Sequence, residues 1–326
     1  MKKNKSAYKG IDVNNIDSSP VYFLGKLCWS VIRFIFMLEM AFVILYPIFY
    51  MLSMSFRSSA DMYDMSIVWI PKHFTMENFK LVFSTLDFGV AFKNTAIISI
   101  VCTILQILVC AVTGYGFARF KFKGSKLLFL AVIFTIIVPP QMINIPNYLL
   151  FSDFDIFGII GLITGGKANI NMLDNYGTMF LLAALGQGLR SGVFILIFCQ
   201  FFKGIPKELE EAAMIDGCGY LKTYLKIMLP NAEGPIVTTA IFSMVWYWND
   251  FYTMSTFFTK VRTLSVNLSG LTQSLSSIMS NDAYNPYKVL TIQQAACIVC
   301  LLPIFILFVV LQRRFSQSMI SSGLVG

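Results

Sequence analysis

Six long apolar runs dominate this chain, at roughly 33–54, 91–115, 127–150, 178–202, 235–257 and 289–311. A bilayer core takes about 20 apolar residues per helix, and helices satisfy their own backbone polar groups where no water can. The remaining composition leaves no soluble alternative. Hydrophobic residues make up 56% of the 326 and charged residues 13%, with a mean hydropathy of +0.70; an average soluble domain is roughly 25% charged. A cytosolic enzyme of this length needs far more charge to cover its surface. Abundant Phe (31) and Met (17) exclude collagen-like, coiled-coil and disordered classes. The first run starts too far from Met1, is too long, and has no A-x-A site after it, so it reads as a retained span and not a signal peptide. The fold class is therefore an all-α membrane protein.

Loop charges orient the spans. With the N-terminus inside, the inner segments 1–33, 116–126, 203–233 and 312–326 hold sixteen of the 25 Lys and Arg residues. The outer segments 55–94, 146–190 and 258–288 are longer in total and hold only nine. The excess of basic residues in inner loops predicts six transmembrane helices with both termini cytoplasmic. The chain then divides into a cytoplasmic N-terminal tail (1–32), the first transmembrane helix with its outer loop (33–90), a core with five transmembrane helices (91–311) and a C-terminal tail (312–326). The net charge of +8 is explained by topology, so the partner it implies is the lipid bilayer and no nucleic acid. The outer loop at 55–90, with Pro71 and a few aromatics, predicts a short structured cap. The Gly- and Asn-rich segment 152–177 predicts a re-entrant or interfacial stretch. The seven cysteines read as small apolar residues. Cys297 and Cys300 form a CxxC without a second ligand pair, and a single histidine builds no site alone, so no metal is expected. His73 reads as a plain surface residue.

Between the fourth and fifth runs lies FFKGIPKELEEAAMIDGCGYLKTYLKIMLPNAEGP. Pro206 suits a first helical position, and Glu208, Glu210 and Glu211 fall where the helix dipole favours negative charge. Gly217 is a natural left-handed stop. Ala212 and Ala213 carry almost no side chain, so that face admits close approach by another protein. A second short helix, 219–228, is expected to end before Pro230. On physics alone an amphipathic linker explains these features equally well. The spacing adds to them: Glu211-Ala212-Ala213, three residues, Gly217, nine residues, Ile227-x-Leu229-Pro230, with Asp216 before the glycine. This resembles the EAA loop of the permeases of binding-protein-dependent ABC importers. GYGFARFKFKG (114–124), Pro139-Pro140 followed by IPNYLLF, WND (248–250) and QRRF (312–315) narrow the resemblance to carbohydrate-uptake permeases, the maltose-type second subunit, over about residues 30–326.

The resemblance implies a type I ABC importer permease fold in the cytoplasmic (inner) membrane. It implies a coupling loop at 203–233 in which Glu208, Glu211, Ala212, Ala213, Asp216, Gly217, Leu229 and Pro230 dock an ATPase. Glu211 would pair with a basic residue there, and Gly217 would make the turn between the two short helices. The implied partners are a second homologous permease, two ATPase subunits and an extracytoplasmic sugar-binding protein. ATP and Mg belong to the ATPase subunits, so this chain carries no catalytic residues and binds no cofactor. Segment 258–288 is implied to contact the binding protein, and the tail to reach toward the ATPase dimer interface. Cys218 stands where alanine is commoner, and 152–177 is longer than the common pattern.

Charges at membrane depth cost several kcal/mol unless they face a cavity or a partner. Arg190 lies about 12 residues before the inner end of the fourth run, hence roughly 18 Å deep at 1.5 Å per residue. Its neighbours Gly186, Gln187, Gly188 and Gly192 let a helix break and expose backbone to a cavity. Arg190 suits a donor fork for sugar hydroxyls or an acidic sugar, and equally a pair with a carboxylate of the second permease. Trp246, Asn249 and Asp250, with Asn144 and Asn147 beside the Pro139-Pro140 break, are further pathway candidates, because aromatic faces stack on pyranose rings and amides bond hydroxyls. Tyr247 reads as belt or core. Glu39 reads as paired with a neighbour or placed near the interface. Gly161-x4-Gly166-Lys167 approaches a phosphate-binding loop, but Ala168 replaces the hydroxyl that would hold magnesium. No nucleophile–base set or catalytic carboxylate pair is found.

Two other classes compete. An ion-coupled secondary transporter requires a central carboxylate network and internal repeats of the spans, and neither is visible. A channel or membrane scaffold leaves the loop and Arg190 unexplained. The expectation is a permease subunit of an ATP-driven importer for a sugar or oligosaccharide, neutral or acidic, with a non-sugar solute as the alternative cargo.

Overall fold

The computed structural model describes residues 20–321 except 65, 68, 156–160, 163–164, 166–169 and 279–284. Most of the expected N-terminal tail, the chain end with Ser322 and Gly323, and much of the near-match to a phosphate loop lie outside the described residues. Among the described residues every regular element is helical, apart from two isolated bridges, Arg57–Phe74 and Phe154–Ile170. In chain order the helices are α1 (Pro20–Ser55), α2 (Glu77–Thr85), α3 (Phe88–Arg119), α4 (Ser125–Ile137), α5 (Pro140–Ser152), α6 (Tyr176–Ala184) and α7 (Ser191–Gly204). There follow α8 (Glu208–Ile215), α9 (Tyr220–Thr223), α10 (Leu229–Asn231), α11 (Glu233–Asn249), α12 (Tyr252–Phe257), α13 (Leu264–Ser269), α14 (Leu271–Ile278) and α15 (Pro286–Ser321).

Among the described residues three helices are long and apolar enough to cross a membrane, and α4 with α5 forms a fourth span if counted as one. The chain is a multi-pass membrane protein. Helix α1 begins at Pro20, well before the run that predicted it, and α15 runs on into the expected C-terminal tail.

The other three runs are broken, each for a local reason. Helices α4 and α5 are bent by 104° at Val138-Pro139. Proline has no N–H to donate and pushes the residue before it out of the helical region; Val138 is accordingly extended, at φ −71° and ψ 123°. Between α6 and α7 the chain turns through Gly186 (φ 74°) and Arg190 (φ 55°), where the sequence allowed a break. The fifth run departs from the single helix expected at 235–257. Asp250 is extended at ψ 110°, and its Oδ1 accepts the Thr253 N–H at 3.1 Å. One acid thus ends α11 and caps the start of α12.

Helix α3 is the central element, packed against α6, α7 and α11. It carries Asn94, Thr95, Ser99, Thr103 and Gln106, all buried and on one face at helical spacing. Gly114 is required where α3 meets α7, because a Cβ there would lie 2.6 Å from Phe198 Cβ and 2.9 Å from Cys199 N. Helix α1 lies outside this core and leans on α15.

The outer loop forms a cap. Asn78 Nδ2 donates to Ser55 O and Arg57 O, each at 2.9 Å. Buried Asp61 accepts the His73 N–H at 2.8 Å and meets its Nδ1 at 2.6 Å. Burial pushes the Asp61 carboxyl up, but these bonds outweigh it and hold it below its ordinary value. His73 is exposed, as a surface residue should be, yet its ring has a structural partner. The segment after α5 is tied down by Asp174, whose carboxylate accepts the Thr259 hydroxyl at 2.6 Å and the backbone N–H groups of Thr259 (2.6 Å) and Lys260 (2.7 Å).

Candidate functional site

The breaks in the third and fourth runs meet at one cavity of about 740 Å³. Asn144 and Asn147 reach it from α5, Gln187 and Arg190 from the α6–α7 turn, and Tyr247 and Thr253 from the fifth run. Four of the candidate pathway residues therefore share one space. Among the described residues lining it Arg190 is the one charge, and the carboxamides surround it without a carboxylate. Such a lining donates and accepts hydrogen bonds. It suits the binding of a polar solute.

Glycine makes the turn possible. A Cβ on Gly188 would collide with Tyr247 Oη, and one on Gly192 would lie 2.5 Å from Thr135 Oγ1 and 3.0 Å from Val132 O. The other three candidates lie apart from the cavity lining. Trp246 stands behind Arg190, whose Cζ is 4.9 Å from the ring centroid, a cation–π contact. Asn249 bonds back to Val245 O at 2.9 Å, and Asp250 is the cap of α12. Tyr247 is buried, and its Oη accepts the Leu189 N–H at 3.2 Å.

A second surface is built at α8. Glu210 and Ala213 face inward and are buried, while Glu208, Glu211, Ala212 and Asp216 are exposed. Glu210 Oε1 lies 3.0 Å from Arg119 Nε at the end of α3, and Arg119 Nη2 donates to Ile205 O at 2.7 Å. The helix is thus fastened from behind and presents carboxylates in front. Gly217 at φ 80° ends it, with its N–H donating to Met214 O and that of Cys218 to Ala213 O. Pro206 precedes the helix, which starts at Glu208.

The second short helix differs from expectation. It runs from α9 through a π-helical turn at Tyr224–Met228 into α10, so Pro230 lies inside a helical stretch and does not follow one. Pro230 is tolerated because it occupies the first turn of α10. Leu229 is half-buried and Pro230 exposed. Ile215, Tyr220 and Leu221 are 86%, 60% and 72% exposed, giving the loop an apolar element beside its acids.

Sequence reasoning passed over two residues that hold these sites. Gln106 is a lone carboxamide in the apolar run TILQILVC, which was a usable signal. Arg119 lies in the quoted FARF motif, but its partner Glu210 is far along the chain.

Residues 107–321 match the family described as binding-protein-dependent transport system inner membrane component. The chain is 28% identical over 307 residues to Protein LplC of Bacillus subtilis (strain 168), covering 91% of this chain and 95% of that one. It is 26% identical over 315 residues to the maltodextrin transport system permease protein MdxG of the same organism, covering 95% and 100%. Its fold is that of a chain from the crystal structure of a bacterial ABC transporter involved in the import of the acidic polysaccharide alginate, with a TM-score of 0.70 at 19% identity over 89% of this chain and 98% of that one.

Proposed function

The chain belongs to the family of binding-protein-dependent transport system inner membrane components, and from that premise we propose that it is the permease subunit of an ATP-driven importer for a sugar or oligosaccharide. The observation that carries this reading is α8: a short helix fastened inside by Arg119–Glu210, with Glu208 and Glu211 facing out beside exposed Ile215. Such a surface suits docking to a basic, partly apolar cleft on an ATPase subunit. Ala212, Asp216 and Gly217 complete the front of the helix and its turn, while Ala213, Leu229 and Pro230 set its packing and its neighbour's shape.

In this reading the chain crosses the cytoplasmic membrane six times with both termini inside. It works beside a second homologous permease, two ATPase subunits that bind ATP and Mg, and an extracytoplasmic binding protein that delivers the solute. Nucleotide-driven movement of the ATPases pulls on α8 and alternates access to the cavity. The maltodextrin relative supports a carbohydrate cargo. Arg190, Gln187, Asn144 and Asn147 form the polar face toward it, and Trp246 backs Arg190. Arg190 accommodates hydroxyls or a carboxylate, so neutral and acidic oligosaccharides both fit.

Affinity purification in mild detergent from cells that make this chain tests the assignment. A second permease, an ATPase and a binding protein should co-purify, and the binding protein can then be screened for its sugar. A chain that purifies alone and moves solute down an ion gradient in liposomes would overturn it.

A further inference from the structure

Gln106 has no exposed surface and uses both ends of its carboxamide. Its Nε2 donates to Leu189 O at 2.7 Å and to Ser191 Oγ at 3.1 Å, and its Oε1 accepts from Ser243 Oγ at 2.8 Å. The two residues it grips flank Arg190. Leu189 is held on its other side as well, because its N–H donates to Tyr247 Oη. Ser191 is fixed by bonds from its N–H and Oγ to Gly188 O, at 3.1 and 3.0 Å.

Arg190 itself is left-handed, at φ 55° and ψ 31°. That conformation is strained for a non-glycine residue and persists only where the surroundings over-determine it. Here the surroundings are the bonds just named. An arginine released from them could relax to the right-handed region, and its side chain would leave its place over Trp246. Leucine at 106 would fill a similar volume in an apolar helix without any need for polar partners. The carboxamide therefore acts on the break in the fourth run.

We propose that Gln106 is a positioning residue, which holds the Leu189–Arg190–Ser191 turn and so aims the Arg190 guanidinium into the cavity. Gln106 does not line the cavity, so it acts through Arg190; the inference rests on the reading of that cavity as the solute path. Tyr247 is the opposing half of the clamp.

The test uses the complete importer with its co-purifying subunits, reconstituted in liposomes with its binding protein. Maltotriose and trigalacturonate serve as probes, and initial uptake is followed for whichever is carried faster. Q106L should slow uptake about five- to tenfold, the scale of a buried hydrogen bond lost. R190Q should slow it by a similar factor, and Q106L/R190Q should be no slower than R190Q alone, because the clamp then has nothing to aim. Y247F should show the same pattern about threefold, with the ring packing kept. In parallel, modification of Arg190 by phenylglyoxal, read by mass spectrometry on the purified complex, should change in rate at least threefold in Q106L and in Y247F. Uptake losses that multiply in full in the double variant, or an unchanged modification rate, overturn the clamp. If R190Q has no effect on uptake, Arg190 is off the solute path and both readings fall together.

Discussion

Helices α1 and α3 are nearly matched in length, 36 and 32 residues, and both are strongly apolar. Their surroundings are opposite. None of the most apolar stretch of α1 is buried, against 44% of that of α3. The difference lies in the few residues that are not apolar. Helix α3 has a stripe of amides and hydroxyls on one face and Gly114 where α7 approaches. Helix α1 has Glu39 as the one charge between Arg33 and Ser55. Apolarity places a helix in lipid, but lipid is as good a solvent for Leu as another helix is. Close packing through small residues and paired polar groups selects the neighbour.

This contrast is broken or sharpened most strongly at the glycines. Gly114→Leu should prevent α3 from seating on α7, and the protein should be lost to aggregation or degradation. Gly25→Leu on α1, where no atom lies within 4 Å of the added Cβ, should leave the yield unchanged. Detergent size-exclusion profiles decide between them; equal yields would mean that α3 is no more closely packed than α1.

Next in size is the fastening of α8. Glu210→Ala leaves Arg119 buried without its carboxylate and should cost about 3–5 kcal/mol, read as a lowered Tm, with part of it recovered in Arg119→Met/Glu210→Leu. Glu211→Lys, on the exposed face, should leave Tm alone and weaken ATPase association at least tenfold, about 1.4 kcal/mol. A smaller effect is expected within the polar stripe. Ser243→Ala removes the hydroxyl between Thr103 and Gln106 and should cost about 1 kcal/mol. Phe36→Ala on exposed α1 should cost nothing measurable in the isolated chain; a matching loss would show that α1 is packed after all.

A small effect confined to acid concerns the cap that holds the outer end of α1. The Asp61 carboxyl sits below its ordinary value of 3.8 because it is bonded to His73. Its contribution is complete above that value and is lost as pH falls through the lower folded-state value. Hydrogen-exchange protection factors in the cap between 56 and 76, which remove the intrinsic pH dependence of exchange, should be flat between pH 7 and 5 and fall only in stronger acid. Asp61→Asn should remove that acid step.

Much of this architecture was legible because its causes are local. Proline at 139 and glycines at 186, 188 and 192 break helices by their own backbone chemistry, and Gly217 ends α8 by the same rule. Asp250 was legible in principle, since an acid three residues before Thr253 is a capping pattern, but the surrounding aromatics drew it into the candidate solute pathway. What the pattern did not reveal is rotational and long-range. Whether Ala212 or Ala213 faces outward depends on how α8 is turned, and that is set by Arg119, which pairs with Glu210 from another helix. Trp246 was assigned to the pathway for its ring face, and that face is turned to Arg190. His73 acquires its role from a carboxylate twelve residues away, beyond any helical or strand period.

The bare flank of α1 reaches beyond the molecule into gene dosage. Lipid covers its Phe and Leu side chains readily, but Glu39, near the helix midpoint and exposed, has no ion pair among the described residues. A carboxylate enclosed by lipid is costly until another protein answers it. Copies synthesised in excess of that protein would keep the carboxylate unanswered and be the first open to membrane proteases. The amount of this chain in a cell should therefore track the scarcer of two products, and its half-life should lengthen when the second is co-expressed.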